Sequence, residues 1–295
     1  MLWPVDLAIP YPHYGYGDIW LFCGSAALVL AIGFAALRFG PKFPFLVTGW
    51  LWYFGMLVPV IGLVQVGMQS MADRYTYLPS VGIFIVIAWG AGEMVERSRL
   101  PRYAITVVAV LILAVCAGRT WNQLGFWRDS KTLFSHSIAV TEGNAIAQYN
   151  LGTYLCSRGQ FEEAIDHLRA ALLIKPSYDD ALNNLASALA ANGEPGEAAS
   201  VFRDAVRRQP GRADVHYNFA NVLAMQHKLD EAVSEYNESL SLNPDDARAH
   251  NNLGNVLLMQ GHKEEAAQQF REALRINPNH SGAKQQLEAL EKHSP

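Results

Sequence analysis

The fold is decided by residues 144–176, NAIAQYNLGTYLCSRGQFEEAIDHLRAALLIKP, and by three further copies of the same pattern. Three series of residues recur at intervals of 34 positions: Ala164, Ala198, Ala232 and Ala266; Pro176, Pro210, Pro244 and Pro278; and Leu168, Phe202, Tyr236 and Phe270. A fixed interval of this length indicates one structural unit that has been copied four times.

A fourth series, at Leu151, Leu185, Phe219 and Leu253, is followed each time by a small residue: Gly152, Ala186, Ala220 or Gly254. The spacing resembles the tetratricopeptide repeat, in which two antiparallel helices pack closely through small residues. The turn between the helices is predicted at Gly159, Gly193 and Gly261, with His227 in the third unit. Because one unit cannot bury its own apolar face, the units are expected to stack into an α-solenoid with a concave groove.

The two ends of the array are also predicted from the period. Stepping 34 residues back from Phe161 and Leu168 reaches Trp127 and Phe134, so residues 127–140 are expected to form a half-repeat. At the other end, residues 281–292 are polar and charged, as expected of a capping helix.

Charge divides the chain into two different modules. Residues 1–131 contain nine Lys/Arg and six Asp/Glu, whereas residues 132–295 contain fourteen and twenty-one, giving formal charges of +3 and −7. Neither part has a dense basic cluster, and we therefore expect no nucleic-acid partner.

Four apolar runs precede the repeats, at about 19–37, 45–66, 78–95 and 103–117. Each approaches the ~20 residues that a membrane-spanning helix needs, and the fourth is extended to Trp121 at the interface. The predicted fold class is therefore all-α, with a four-helix transmembrane segment followed by a tetratricopeptide-repeat α-solenoid. The predicted domains are an extracytoplasmic aromatic-rich tail (1–18), four transmembrane helices (19–121), a juxtamembrane half-repeat (122–143), four repeat units (144–280) and a capping helix (281–295).

The short loops predict the orientation in the membrane. Five basic residues lie in the loops after the first and third runs, and only Arg74 lies in the loop after the second. Because basic loops remain in the cytoplasm, the protein is expected to be a multi-pass membrane protein with its repeat array in the periplasm or a lumen.

The sequence ADRYTYLPSVG, residues 72–82, and the sequence FWRD, residues 126–129, lead to a second resemblance. Together with the repeats they resemble the C-terminal portion of the transmembrane and tetratricopeptide-containing O-mannosyltransferase-like proteins, which relate to the GT-C glycosyltransferases. That resemblance implies a catalytic acidic motif in an early extracytoplasmic loop. The chain begins after that region, so we expect a truncated relative or a C-terminal fragment, and no catalytic residue is assigned.

Few residues carry chemistry of their own. Asp73 and Arg74 are the candidates for contacting a lipid-linked phosphate or a polyprenyl-phosphate sugar; alternatively, they form a local ion pair. No metal site, cofactor site or catalytic triad is recognisable, and four histidines of the repeats, His216, His250, His262 and His280, are interpreted as solvated surface or turn residues.

One asparagine recurs at the same phase of every unit: Asn150, Asn184, Asn218 and Asn252. Asparagine is a poor helix former, so four in register need a reason. The pattern resembles the ladder of the O-GlcNAc transferase type, which holds the backbone of an extended peptide, and the neighbouring residues Tyr149, Tyr217, Asn221 and Asn255 complete the candidate groove. Alternatively, the asparagines bond to neighbouring helices and set the pitch of the array.

Two functions follow from these patterns. The first is a membrane-anchored interaction scaffold whose groove binds a polypeptide partner. The second is the acceptor-recognition part of a GT-C-type protein O-glycosyltransferase whose catalytic region lies outside this chain. A clamp for an acidic C-terminus is excluded, because Arg248 is the only basic residue at the groove positions, where Ile146, Asp180 and Asp214 stand in the other units.

Overall fold

The computed structural model describes residues 19–57, 77–97 and 101–292. Every regular element in these residues is an α-helix. The chain divides into two compact units, Met1–Ala147 and Gln148–Pro295.

The first unit contains helices at the four predicted apolar runs and at the predicted half-repeat. These are α1 (Ile19–Phe39), α2 (Pro44–Leu57), α3 (Tyr77–Arg97), α4 (Arg102–Phe126) and α5 (Ser130–Val140). The fourth helix is longer than its apolar run, because helical structure continues through Arg119, Asn122 and Gln123 up to Phe126.

Within the described residues, one helix, Tyr103–Phe126, combines the length and the apolar composition needed to cross a membrane. Two shorter apolar helices lie at Ala27–Phe39 and Ser80–Glu93. Helix α2 is described from Pro44 to Leu57, and the rest of its predicted run, up to Val66, lies outside the described residues. A four-helix transmembrane segment is therefore not confirmed, although four helices occupy the predicted places.

Helices α2 and α3 approach each other through glycine. A Cβ atom built on Gly49 would lie 2.5 Å from the carbonyl oxygen of Gly82, and one built on Gly82 would collide with the backbone of α2. Neither position has room for a side chain, so the two backbones are in direct contact here.

The repeat array begins with α6 (Ala145–Ser157), which crosses the division between the two units. The helices that follow are α7 (Phe161–Ile174), α8 (Asp179–Ala191), α9 (Pro195–Arg208), α10 (Ala213–Met225), α11 (Leu229–Leu242), α12 (Ala247–Gln260), α13 (Lys263–Ile276) and α14 (Ser281–Lys292). The even-numbered helices α6 to α12 are the first helices of the four units, and the odd-numbered helices α7 to α13 are the second.

The core lies between the two helices of each unit and between neighbouring units. The recurring alanines Ala164, Ala198, Ala232 and Ala266 are fully buried, as are Leu168, Phe202 and Phe270; Tyr236 is 1% exposed. A Cβ on Gly254 would lie 2.7 Å from Cε1 of Phe270, so the glycine lets the ring of α13 pack against the backbone of α12.

The predicted turns are confirmed by the backbone. Gly159, Gly193 and Gly261 have φ angles of 74°, 85° and 89°, and His227 has a φ of 58°. A histidine in this left-handed region is strained, because a side chain disfavours positive φ. The third unit therefore contains a local weakness that the other three avoid.

Helix α14 packs on α13 with Ala283 fully buried. Its Glu288 stands 34 residues after Gly254, at the phase where the four units have Gly or Ala, and it is exposed. The helix therefore continues the stacking on one face and presents charge on another.

Candidate groove on the first helices of the repeats

The candidate groove residues lie on α6, α8, α10 and α12, and all of them are half-buried. They comprise the asparagines Asn150, Asn184, Asn218 and Asn252, the residues Tyr149 and Tyr217, and Asn221 and Asn255. Half-burial leaves each side chain partly accessible while its other side contacts the array.

Asn184 is tied to the unit before it. Its Nδ2 donates to Oγ1 of Thr153 at 3.0 Å and to the hydroxyl of Tyr149 at 3.4 Å. These partners precede it by 31 and 35 residues, so the amide connects α8 to α6.

Asn252 repeats this arrangement two units later. Its Nδ2 donates to Oδ1 of Asn221 at 2.9 Å and to the hydroxyl of Tyr217 at 3.1 Å, again 31 and 35 residues earlier. Between them, the Nδ2 of Asn218 donates to Oδ1 of Asn183 at 3.3 Å. Three of the four asparagines thus form hydrogen bonds between neighbouring units.

These contacts bear on whether the asparagines bind a peptide or link the repeat units. The Nδ2 atoms of Asn184, Asn218 and Asn252 bond to neighbouring helices, as expected if they link the units. Among the described residues, however, nothing donates to the Oδ1 atoms of Asn184 and Asn218. One side of each amide is therefore engaged within the array, and the other remains an acceptor.

The two tyrosines of the groove have different neighbours. The ring of Tyr149 lies 4.8 Å from that of Tyr178, whose own ring is contacted by Nζ of Lys175 at 4.9 Å. Burial, with smaller contributions from Tyr149 and Asp180, raises the pKa of Tyr178 to about 12. The guanidinium of Arg248 lies 5.3 Å from the ring centre of Tyr217, a cation–π contact.

A connected polar network lies beneath Tyr217. The hydroxyl of Tyr236 donates to Oδ1 of Asn221 at 2.6 Å, and the same oxygen accepts from Asn252. The rings of Tyr217 and Tyr236 meet edge to face at 6.1 Å. Burial raises the pKa of Tyr236 well above its ordinary value, so this hydroxyl stays protonated.

An ion cluster that sequence reasoning missed links the second and third units. Arg212 donates through Nε and Nη2 to the two carboxylate oxygens of Asp214, at 3.0 and 2.6 Å, and through Nη1 to Asp180. The hydrogen bonds and charge of Arg212 lower the pKa of Asp214, and both carboxylates raise that of the guanidinium. The signal available in the sequence was the Arg-x-Asp spacing, with Asp180 one period before Asp214.

The interpretation of His216 as a solvated residue is wrong. Its side chain is buried, with Nδ1 2.7 Å from a carboxylate oxygen of Glu235 and Nε2 3.1 Å from the carbonyl of Pro210. His250 makes the same pair of contacts, with Gln269 and the carbonyl of Pro244. Both histidines therefore join the two helices of a unit, because the position faces the second helix.

Asp73 and Arg74, the other predicted site residues, lie outside the described residues. Within the described ranges, no group of three His, Cys, Asp or Glu side chains is arranged to hold a metal ion.

The tetratricopeptide-repeat family matches residues 123–179, 149–213 and 217–281, and a second description of the same repeat matches residues 189–238. Together the matches cover more than half of the chain.

The curated homologues are protein O-mannosyl-transferases of the TMTC group. Tmtc2 of Drosophila melanogaster is 29% identical over 156 residues, which is 53% of this chain and 14% of that protein. TMTC1 of Homo sapiens is 31% identical over 114 residues, 38% of this chain and 13% of that protein. The chain thus spans a small part of these relatives.

Among solved structures, MamA is 21% identical with a TM-score of 0.49, covering 55% of this chain and 94% of that protein.

Proposed function

Because the chain belongs to the tetratricopeptide-repeat family, we propose that it is a membrane-anchored scaffold whose groove binds an extended polypeptide. The observation that carries the proposal is the row of half-buried Asn184, Asn218 and Asn252, whose amides are held in place by neighbouring units. Side chains fixed in this way recognise a ligand without a large loss of conformational entropy.

Amide and hydroxyl groups dominate the surface of the first helices, with Thr153, Ser187, Asn221 and Asn255 one turn after the asparagines. Such groups hydrogen-bond to peptide groups irrespective of side-chain identity. A polypeptide in extended conformation exposes its backbone donors and acceptors, which makes it a suitable partner for this groove.

Helix α4 is the anchor. Its apolar side chains Val110, Leu111 and Leu113 are between 58% and 67% exposed. No residue in the most apolar stretch of the helix is buried. Tyr103 and Trp121, at the two ends of the apolar part, are also exposed, as expected of side chains at a membrane interface.

The proposed anchor comprises α1, α2 and α3 in addition to α4. Leu30, Leu51 and Trp89, on α1, α2 and α3, are more than 60% exposed, which an apolar surrounding would favour. The contact between Gly49 and Gly82 supports this arrangement, because membrane helices associate through small residues that let backbones approach. The distribution of Lys and Arg over the short loops supports an array in the periplasm or a lumen.

The curated relatives favour a second candidate, in which the groove presents acceptor polypeptides to a GT-C-type glycosyltransferase. In that case Asp73 and Arg74 contact the phosphate of a polyprenyl-linked sugar. Further apolar segments and an early acidic loop, encoded in frame before Met1 in the transcript, would favour this candidate over an independent scaffold.

Site-specific photo-crosslinking tests the groove. The photoreactive residue p-benzoylphenylalanine is placed at Ser187 on α8 or, as a matched control, at Ser234, an exposed serine of α11. The full chain in lipid nanodiscs is then irradiated with a pool of biotinylated random 12-residue peptides. Labelling at position 187 well above that at 234 is expected; equal or absent labelling at both positions would refute a peptide-binding groove.

A reporter enzyme that is active only outside the cytoplasm, fused after Pro295, tests the orientation. Activity is expected, and a silent reporter in a well-expressed fusion would reverse the orientation.

A further inference from the structure

We infer that the centre of the groove, on α8 and α10, selects basic polypeptide segments and binds their Lys or Arg side chains through the Oδ1 atoms of Asn184 and Asn218. The inference rests on the proposed polypeptide-binding function and adds the chemical class of the partner. It comes from the direction of the hydrogen bonds within the array.

The donors of the groove on α8 are already engaged. The Nδ2 of Asn184 donates to both Thr153 and Tyr149 of the preceding unit, and on α10 the Nδ2 of Asn218 donates one hydrogen to Oδ1 of Asn183. The hydroxyl of Ser187, one turn after Asn184, donates to the backbone carbonyl of Asn183 at 3.0 Å. What Asn184 and Ser187 still offer to a ligand is lone pairs on oxygen.

Two carboxylates provide further acceptors one helical turn before Asn184 and Asn218. Asp180 and Asp214 begin α8 and α10, and about half of each side chain is exposed. Both bond to the single cation Arg212, so this cluster of three keeps one net negative charge. A cationic ligand side chain would therefore gain hydrogen bonds and charge complementarity together.

Donors and a positive charge lie to either side of these acceptors. In the first unit, the hydroxyls of Tyr149 and Thr153 accept from Asn184 and keep their own hydrogens for donation. In the third unit, the hydroxyl of Tyr217 accepts from Asn252 and also keeps its hydrogen, and Arg248 of α12 lies over the Tyr217 ring. The acceptors are thus concentrated at Asn184 and Ser187 and at the carboxylates bound to Arg212.

The charge of the whole second unit agrees with a basic partner. Residues 148–295 contain fourteen Lys/Arg and twenty Asp/Glu, a formal charge of −6. Such a field raises the association rate of a basic segment, while the acceptors of the groove determine where it binds.

The test asks whether one substitution raises or lowers the affinity of the groove for a basic peptide. Asn184→Asp replaces the Nδ2 donor by an oxygen, and the hydroxyls of Thr153 and Tyr149 donate to that carboxylate instead, which preserves the link between units. The second carboxylate oxygen then strengthens the acceptor that faces the ligand. Asn237→Asp makes the same chemical change on the exposed face of α11, outside the groove, and is the matched control.

The probe is a fluorescein-labelled 12-residue peptide of alternating Ser and Lys, with an acetyl-lysine version and a Ser/Glu version for comparison. Binding to the full chain in phosphatidylcholine nanodiscs is followed by fluorescence anisotropy. The lysine peptide is expected to bind at least tenfold more tightly than either comparison peptide. Asn184→Asp should tighten its binding by about three- to tenfold, whereas Asn237→Asp should change it less than twofold, because a distant charge is screened over ~8 Å at physiological salt.

Asn184→Leu is the second variant, and it removes the acceptor without adding charge. It should weaken binding of the lysine peptide severalfold while circular dichroism shows an unchanged helix content. Weaker binding by Asn184→Asp, or equal effects of Asn184→Asp and Asn237→Asp, would overturn the inference.

The inference and the proposed function fail in different ways. Crosslinking at position 187 by peptides of the random pool, with no preference for the lysine peptide, overturns the inference and leaves the peptide-binding function standing. Absence of crosslinking at position 187 removes both.

Discussion

The buried hydroxyl of Tyr236 allows a quantitative test of the network beneath the groove. Neighbouring units have Phe202 and Phe270 in the place of Tyr236, so a ring without a hydroxyl fits this position. Tyr236→Phe removes one hydrogen bond and leaves Oδ1 of Asn221 with its second donor, Asn252. We expect a loss of about 1 kcal/mol in the free energy of unfolding, the net value of one hydrogen bond.

Asn221→Ala acts on the other partner and should cost more. Tyr236 is 1% exposed, so its hydroxyl would remain buried without an acceptor. An orphaned buried donor costs about 1–3 kcal/mol, and Asn252 also loses one of its two acceptors. The expected loss is about 2–3 kcal/mol.

The double variant separates the cost of losing the hydrogen bond from the cost of leaving the Tyr236 hydroxyl without an acceptor. With Phe at position 236 there is no hydroxyl to orphan, so Asn221→Ala should cost about 1–2 kcal/mol less in that background than in the wild type. Urea unfolding of the full chain in mild detergent, followed by circular dichroism at 222 nm, measures all four proteins. Additive losses, or a larger loss from Tyr236→Phe than from Asn221→Ala, would refute the reasoning.

Three further predictions concern the turns, the membrane unit and alkaline pH. His227→Gly should raise the free energy of unfolding by about 1 kcal/mol, measured by the same urea assay, because glycine adopts positive φ without strain; a loss of stability would contradict this. Gly82→Leu should separate α2 from α3 and lower the thermal stability in detergent, whereas Gly92→Leu on the same helix, with no atom within 4 Å of its Cβ position, should not; similar effects would argue against the contact with Gly49. Above pH 10 the free energy of unfolding should fall, because buried Tyr236 keeps its proton in the folded state while unfolded tyrosine loses it; Tyr236→Phe should flatten this fall in urea midpoints between pH 10 and 11.5, and an unchanged slope would count against it.

The periodic features were predicted correctly from the sequence. The 34-residue interval, the buried alanines represented by Ala164 and the left-handed turn at His227 follow from interactions within one helical hairpin. Such interactions depend on residues that lie close in sequence, and repetition makes them visible four times.

The membrane half was predicted less completely. The apolar runs located four helices, but they did not establish which of these cross a bilayer. The fourth run, extended to Trp121, also gave no indication that α4 continues to Phe126, because the polar residues Asn122 and Gln123 end the hydropathy signal without ending the helix.

For the candidate groove, the sequence alone placed Asn184, Asn218 and Asn252 at one phase of the repeat, and it left open whether they bond to a ligand or to each other's units. Only the tertiary structure decided that their Nδ2 atoms donate to residues 31–35 positions earlier, that Arg212 joins Asp180 to Asp214, and that His216 is buried. The physical reason is that the period of a repeat determines which residues share a face. The pitch at which the units stack determines which atoms meet across it, and that pitch results from packing along the entire array.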